Sequence, residues 1–332
     1  MKRIITLFLT LALALSLAAC AAPGEKADDG RLQIVATLFP YYDFARAIAG
    51  DRADVTLLLS PGREAHSFEP TPLDAVTISE ADVFLYNGGE GEYWVEEMLD
   101  AAGEHIAVKA RMMDYVDALG EEFSEGMQGA DEHGHDHDHD DHDHDHEEDK
   151  HDSDEIEYDE HIWTSPKNAA ILCRAVCEAI CKADPANEDF YRANCDDYCA
   201  QIEALDARFA DLCESAPRKL LIFADRFPML YFCREYGLDY RAAFHGCSGD
   251  TEPSLATIKY LIDKVEDENI PVVYTIDFGT KKVAAVVSEC TGAAIETIYS
   301  MQTVSRADFD AGETYLTLME RNFEALRKGL NE

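Results

Sequence analysis

Apolar runs alternate with amphipathic segments along most of the chain, in two series separated by a long helical segment. In the first series, short apolar runs predict four strands with helices between them, the strands near 31–37, 55–59, 81–87 and 106–108 and the helices near 39–50, 71–79 and 93–101. The second series repeats this order, with strands near 219–224, 240–244, 271–277 and 294–299 and helices near 227–236, 252–268, 281–291 and 315–330. Strands that alternate with helices are typical of parallel α/β layers.

The segment between the two series predicts a stiff connector. Pro166 begins a helix, and residues 188–214 then continue a helical pattern that contains neither Gly nor Pro. At about 1.5 Å per residue this second helix is about 40 Å long, which exceeds most globular helices. We therefore predict an α/β protein of two Rossmann-like lobes with parallel sheets, joined by one long rigid helix. The predicted boundaries are 31–186 for the N-terminal lobe, 187–214 for the connecting helix and 215–332 for the C-terminal lobe.

The first thirty residues predict export and anchoring. Lys2 and Arg3 precede an apolar segment that ends in small residues and Cys20, the pattern of a secretory signal rather than of a spanning helix. The cysteine at the cleavage point resembles a bacterial lipobox, although a plain signal peptide with a chance cysteine gives the same pattern. We predict a lipoprotein signal peptide at 1–20, lipidation of Cys20, a tether at 21–30, and an extracytoplasmic location on the outer face of the bacterial cell membrane.

Nine of the ten cysteines remain after Cys20, an odd number that excludes complete internal pairing. Five of them recur at helical spacing and should lie on two helix faces: Cys173, Cys177, Cys181, Cys195 and Cys199. The spacing favours small buried residues. A second zinc site and one or two disulfides between the helices remain as alternatives.

Charge and histidine content point to metal rather than to nucleic acid. The net charge is −39, which disfavours phosphate partners that need Lys and Arg. Eight of the twelve histidines lie between His133 and His151 among Asp and Glu. This His tract has almost no apolar residue to bury, so we predict a disordered loop over about 121–157 that collects zinc-like ions. A solvated linker with incidental affinity is the alternative.

Five further residues lie where predicted strands end in loops, the usual place for ligands in open α/β sheets. His66 and His161 belong to the first lobe, whereas Asp225, His245 and Asp277 belong to the second. Two histidines from one lobe and a carboxylate from the other would form a closed metal site in the cleft, since zinc takes four N, S or O ligands. His105 is expected to be structural.

From Cys20 onwards the chain resembles the zinc-binding lipoproteins of bacterial ABC importers, the high-affinity metal-receptor branch of the periplasmic binding proteins. The resemblance is carried by Pro61-Gly62 with His66 and Pro70, by 159–163 (Asp-Glu-His-Ile-Trp) with Ser165-Pro166, and by the long helix. The acidic His-rich insertion is typical of the zinc members. The resemblance implies that His66 and His161 ligate the metal and that a membrane permease receives it.

The chain departs from that family at the third ligand, because 223–227 (Phe-Ala-Asp-Arg-Phe) lacks the family's histidine. Asp225, His245 or water would take its place, and Asp277 matches the fourth position approximately. We therefore expect a non-enzymatic receptor that captures Zn²⁺ for an ABC permease. A metal-storing surface adhesin and a manganese receptor are the alternatives. An extracytoplasmic zinc hydrolase is disfavoured because the sequence contains no HExxH motif.

Overall fold

Two parallel four-stranded sheets form the framework of the protein, as the alternation of strands and helices predicts. The computed structural model describes residues 30–63, 68–128, 157–248 and 252–331. The strands of the first sheet lie side by side in the order β2-β1-β3-β4. Their bounds are β1 Leu32–Ala36, β2 Ala53–Leu57, β3 Val83–Tyr86 and β4 Val108–Arg111. The second sheet has the order β6-β5-β7-β8, with β5 Leu220–Phe227, β6 Asp239–His245, β7 Val272–Ile276 and β8 Ala294–Ile298.

Helices connect the strands of each sheet. Those of the first half are α1 Phe39–Ala49, α2 Pro72–Ser79 and α3 Trp94–Ala102. Two longer helices follow, α4 Pro166–Ala183 and α5 Glu188–Ser215. Those of the second half are α6 Leu230–Tyr236, α7 Leu255–Asp267, α8 Lys282–Thr291, α9 Arg306–Asp310 and α10 Tyr315–Asn331. The prediction of an α/β fold with two parallel sheets and one long helix between them is thus confirmed.

The connecting helix α5 is 28 residues long, or about 42 Å. Its buried positions recur three or four residues apart, from Tyr191 through Cys195, Ile202 and Phe209 to Leu212. Helix α4 begins where the Ser165 side chain accepts a hydrogen bond from the Asn168 backbone N–H, with Pro166 in the first turn. The two helices pack against each other and form one apolar core with the first sheet and one face of the second. This shared core explains how α5 holds the two halves together.

A second, smaller core lies in the second half only. It includes Ile222 and Val273 from the sheet, Leu261 from α7 and Val287 from α8. These helices cover the face of the second sheet that does not take part in the larger core. Each half therefore has buried residues of its own in addition to the ones that the halves share.

Some elements differ from the prediction, and some predicted features lie outside the described residues. Strand β5 continues to Phe227, so α6 begins at Leu230 rather than at Phe227 as predicted. Helix α9 was not predicted. Residues 1–29, which hold the predicted signal peptide, the tether and Cys20, lie outside the described part, and the exact domain boundaries stay predictions. Within the described residues, no helix is both long and apolar enough to cross a membrane.

Candidate metal site

The segment that carries His161 is fixed by pairing with another loop of the first half. The backbone N–H of Asp159 donates to the carbonyl of Leu119 at 2.9 Å, and that of Glu121 donates to the carbonyl of Glu157 at 2.8 Å. The Tyr231 hydroxyl, from α6 of the second half, donates to the Asp159 carbonyl at 2.8 Å. These contacts hold the segment 157–161 between the two halves of the protein.

The His161 imidazole is buried, with only 2% of the residue exposed. Its Nδ1 lies 3.1 Å from Oδ1 of Asp159, and the same oxygen accepts the His161 backbone N–H at 2.7 Å. Burial by itself lowers the pKa of His161, but the Asp159 carboxylate and, beyond it, Glu121 and Glu160 raise it above its usual value. A carboxylate on Nδ1 fixes the ring orientation and makes Nε2 the nitrogen suited to a metal.

Glu160 faces the first half rather than the His161 ring. Its Oε1 accepts the Gly91 backbone N–H at 2.7 Å, and its backbone carbonyl accepts the Asn87 side-chain amide at 3.0 Å. A Cβ atom on Gly89 would lie only 2.3 Å from the Glu160 carboxyl carbon, so a larger residue there would displace the Glu160 side chain. Burial raises the pKa of Glu160 despite the hydrogen bond from Gly91.

The loop after β6 brings a second histidine close to His161. A Cβ atom on Gly246 would lie 3.1 Å from both Cε1 and Nδ1 of His161, so the loop backbone contacts the ring. The preceding residue is His245, whose Nδ1 lies 3.6 Å from Oε1 of Glu121. The Glu121 oxygen also accepts the Cys247 backbone N–H at 3.3 Å. Burial raises the pKa of Glu121, but His245, Cys247 and the nearby His161 lower it on balance.

Two buried polar atoms in this region have no hydrogen-bond partner among the described residues. They are Oδ2 of Asp159 and Nδ1 of His245. A buried polar atom without a partner costs about 1–3 kcal/mol. A cation that binds either atom would offset that cost, and both imidazole nitrogen and carboxylate oxygen are donors that zinc accepts.

The two aspartates of the second half occupy different environments. Asp225 lies inside β5 at an irregularity in its pairing with β6, not after the strand as predicted. Its Oδ2 accepts the Thr275 hydroxyl at 2.6 Å, and its Oδ1 accepts the Arg226 backbone N–H at 2.9 Å. Asp277 does follow its strand, and its Oδ1 accepts the Ser300 backbone N–H at 3.2 Å. Burial raises the pKa of Asp277 to about 6.

Trp163 connects the His161 segment to the aspartate side of the cleft. Its indole Nε1 donates to the Ser300 carbonyl at 2.8 Å, and its ring centroid lies 5.7 Å from that of His161. Nearby, the Gly62 backbone N–H donates to the Val304 carbonyl at 2.8 Å, so the Pro61-Gly62 turn also meets the second half. His161 and His245 therefore lie beside contacts between the two halves, and Asp277 adjoins them through Ser300, whereas the hydrogen bonds of Asp225 stay within the second half.

His66 and the whole His tract lie outside the described residues, so their placement stays a prediction. Within the described part, no three of the candidates His161, Asp225, His245 and Asp277 have ligand atoms within 4.8 Å of one another, and only a cysteine group does so. Sequence reasoning missed Glu121, Asp159 and Cys247, which surround the two histidines. Asp159 is the first residue of the motif at 159–163, although no role was assigned to it, whereas no sequence signal relates Glu121 to Cys247.

Comparison with known proteins agrees with this architecture. The chain is 32% identical over 328 residues to the high-affinity zinc uptake system protein ZnuA of Bacillus subtilis, covering 98% of this chain and 97% of that relative. It is 30% identical over 329 residues to the zinc-binding lipoprotein AdcA of Streptococcus pneumoniae, covering 99% of this chain but only 61% of that relative's length.

Solved structures show the same fold. The Zn(II)-bound ZnuA-like domain of S. pneumoniae AdcA is 25% identical, with a TM-score of 0.71 and coverage of 91% of this chain and 100% of that one. The metal-dependent lipoprotein YcdH of B. subtilis is 28% identical, with a TM-score of 0.72 and coverage of 90% and 99%. A family model described as zinc-uptake complex component A, periplasmic, matches residues 34–329, which is most of the chain. The chain therefore belongs to the ZnuA family, as the sequence motifs indicate.

Proposed function

We propose that the protein is an extracytoplasmic solute-binding lipoprotein that captures Zn²⁺ between its two halves and delivers it to an ABC permease for zinc uptake. The observation that carries the proposal is the buried His161 ring, whose Nδ1 is held by Asp159 at 3.1 Å while the Gly246 backbone of the other half packs against it. Metal-ligating histidines generally have a carboxylate or carbonyl on the second ring nitrogen, which sets the ring for coordination.

His66, His161 and Asp277 are the ligands that we propose first, and His245 rather than Asp225 is the stronger candidate for the remaining position. The Asp225 oxygens already accept hydrogen bonds from Thr275 and Arg226 of its own half. His245 instead pairs with a carboxylate, Glu121, as His161 does with Asp159. Its Nδ1 lies 3.6 Å from the Glu121 carboxylate, which is longer than a hydrogen bond.

The family is that of a zinc-uptake complex component, which supports a receptor and not an enzyme. The relatives' names include zinc binding and zinc uptake, and one solved relative is Zn(II)-bound. These support zinc over manganese and uptake over a storage adhesin. Lipid attachment at Cys20, the permease as partner and the location on the outer face of the cell membrane belong to the same proposal. The acidic His tract would raise the local zinc concentration beside the cleft.

Calorimetric titration with Zn²⁺ tests the proposal on the protein without its His tract, so that weak sites do not obscure the tight one. We expect the His161→Ala variant to lose the tight cleft site. His105→Ala is the matched control, because His105 is an exposed histidine of the first half in a short 3₁₀ turn, Gly103–His105. Equal zinc affinity in the His161→Ala variant and in this control would refute the proposed site.

Specificity and function need separate measurements. Titration with Mn²⁺ should give weaker binding than Zn²⁺, and the protein should bind zinc without turning over ester or peptide substrates. Tighter binding of Mn²⁺ than Zn²⁺ would replace zinc by manganese as the cargo. Zinc uptake by cells that carry the His161→Ala protein should fall relative to cells with the His105→Ala protein, and equal uptake would contradict a role in transport.

A further inference from the structure

A group of thiols lies between α4 and α5, away from the cleft. Cys173, Cys177 and Cys181 on α4 face Cys195 and Cys199 on α5, and all five are buried. The i, i+4 spacing on each helix explains why they share one face. The nine cysteines that the structure describes are all free thiols, so none of these five is in a disulfide. This group is unrelated to the zinc ligands proposed above.

The geometry of three of the thiols matches a tetrahedral thiolate site. The Sγ atoms of Cys173, Cys195 and Cys199 all lie within 4.8 Å of one another, and those of Cys195 and Cys199 are 3.8 Å apart. Zinc–sulfur bonds are about 2.3 Å, so two sulfurs of a tetrahedral site are about 3.8 Å apart. Small side-chain rotations would bring the wider pairs to that distance.

The Cys195 sulfur lies at the centre of the group. It is 3.8 Å from the Cys199 sulfur and 3.9 Å from the Cys173 carbonyl, and the Cys199 sulfur is 3.7 Å from the Ala170 carbonyl. Contacts with the neighbouring thiols lower the pKa of Cys195, whereas the contact with Cys195 and burial raise the pKa of Cys173 and of Cys177. Because a thiolate is the form that binds metal, a cation at this position must displace the protons of the remaining thiols.

We propose that Cys173, Cys195 and Cys199 form a structural site for Zn²⁺ or another thiophilic divalent cation that fastens α4 to α5. One Zn²⁺ replaces three thiol protons, which leave to solvent, and the site then carries a net charge of −1. Arg174 follows Cys173 on α4, and its guanidinium also pairs with Glu203.

The site links metal binding to the rigidity of the connector. Helix α5 joins the two halves, and α4 begins directly after the His161 segment, so a metal between them would hold the first half against the connecting helix. The sulfurs are buried, so the ion enters as the helix pair folds or opens locally. Metal that binds only the folded pair stabilises it by mass action.

The test is refolding of the full chain under reducing conditions with Co²⁺, followed by Cd²⁺ and Zn²⁺. The His161→Ala variant is the background, so that the cleft does not contribute the signal. We expect one more equivalent of bound metal than in the same protein with Cys195→Ala, which retains the His tract as well, together with a sulfur-to-cobalt charge-transfer band in the near ultraviolet and a higher unfolding temperature with metal than without it. The Cys195→Ala and Cys199→Ser variants should lose the band.

Cys233→Ala is the matched control, because Cys233 is an equally buried thiol on α6 outside the group. It should keep the band and the added metal. Circular dichroism checks that each variant folds. If one of the two α5 variants fails to fold, the other still tests whether the charge-transfer band depends on the α5 thiols. Absence of the band in the background protein, or its survival in both α5 variants, would overturn the proposal.

Oxidation of these thiols to a disulfide between α4 and α5 is the alternative that a second experiment tests. Two sulfurs on the same helix four residues apart are poorly placed for a bridge, whereas a Cys173 or Cys177 sulfur facing α5 can pair across the helices. Mass spectrometry of protein prepared without reductant should show these thiols reduced and, with metal, protected from alkylation. A mass two hydrogens lower, with a peptide linking α4 to α5, would show a structural disulfide in place of the metal site. Either result leaves the zinc titration of the cleft unaffected.

Discussion

Glu92 should make the stability of the metal-free protein fall as the pH rises. This glutamate ends the short 3₁₀ helix Glu90–Glu92, and only 7% of the residue is exposed. Its Oε2 accepts the Gly88 backbone N–H at 2.8 Å, whereas Oε1 has no hydrogen-bond partner among the described residues. Burial raises the pKa of Glu92 from 4.5 to about 7, more than the nearby Thr37 hydroxyl and the hydrogen bond from Gly88 lower it. The folded state therefore retains a proton that the unfolded state loses.

The size of the effect follows from the two pKa values. Below pH 4.5 the carboxyl group is mostly protonated in both the folded and the unfolded state, so it does not change the free energy of unfolding. Between pH 4.5 and about 7 the unfolded chain ionises first, so the free energy of unfolding falls progressively. At about 1.36 kcal/mol per pH unit, the complete loss above pH 7 is about 3 kcal/mol. Glu92→Gln removes the ionisable group while keeping its shape, so the variant should be more stable than the parent by about this amount at pH 8.

Urea denaturation with a chelator present, at half-unit steps from pH 4.5 to 8, measures the difference directly. The other carboxylates and the histidines titrate in both proteins, so they cancel when the Glu92→Gln profile is compared with that of the parent. Glu97→Gln removes the same charge from an exposed position of α3 and should follow the parent profile. A Glu92→Gln protein whose pH profile runs parallel to that of the parent would refute the argument.

Three further changes test the cleft and its surroundings. Gly246→Ala places a Cβ atom 2.9 Å from the Phe227 carbonyl and 3.1 Å from the His161 ring, so strain of about 1–3 kcal/mol should weaken zinc binding about tenfold in calorimetry; unaltered affinity would mean that the loop moves without cost. Trp163→Phe removes the 2.8 Å hydrogen bond to Ser300 and should lower the urea unfolding free energy by about 1–3 kcal/mol; no loss would mean that the Ser300 carbonyl finds another donor. Deletion of residues 131–151 should lower the zinc stoichiometry and spare the tightest site, and loss of that site would show that the tract supplies its ligands.

Periodicity along the sequence predicted the elements that depend on one segment of the chain. The α5 helix lacks Gly and Pro and buries one face at three- and four-residue spacing, so its start was predicted correctly and its end within one residue. The end of β5 was predicted too early. An irregularity between Phe223 and Arg226 lets the strand continue pairing with β6 to Phe227, and no periodic signal marks that shift.

In the candidate site, too, the sequence predicted contacts within one segment but not contacts between distant segments. His161 and its partner Asp159 lie in one short motif, so the sequence contains both halves of that pair. Glu121 and His245 are distant in the chain, and their pairing depends on how the loop before the His tract meets the loop after β6. The cysteines were assigned to two helix faces by spacing, but only the packing of α4 on α5 shows that three sulfurs meet. Contacts between distant segments are set by tertiary packing, which a single sequence does not encode locally.

Anomalous scattering at the zinc absorption edge, from crystals of the zinc-loaded protein, examines the central idea most directly. We predict one strong peak at the junction of the two halves, about 2.0–2.1 Å from Nε2 of His161 and at a similar distance from at least one oxygen or nitrogen atom of the second half. Absence of zinc at this junction, or a junction zinc that has no bond to His161 or whose ligands all come from a single half, would contradict capture of the ion between the two halves; a separate peak at the α4–α5 thiols belongs to the structural site and does not bear on this test.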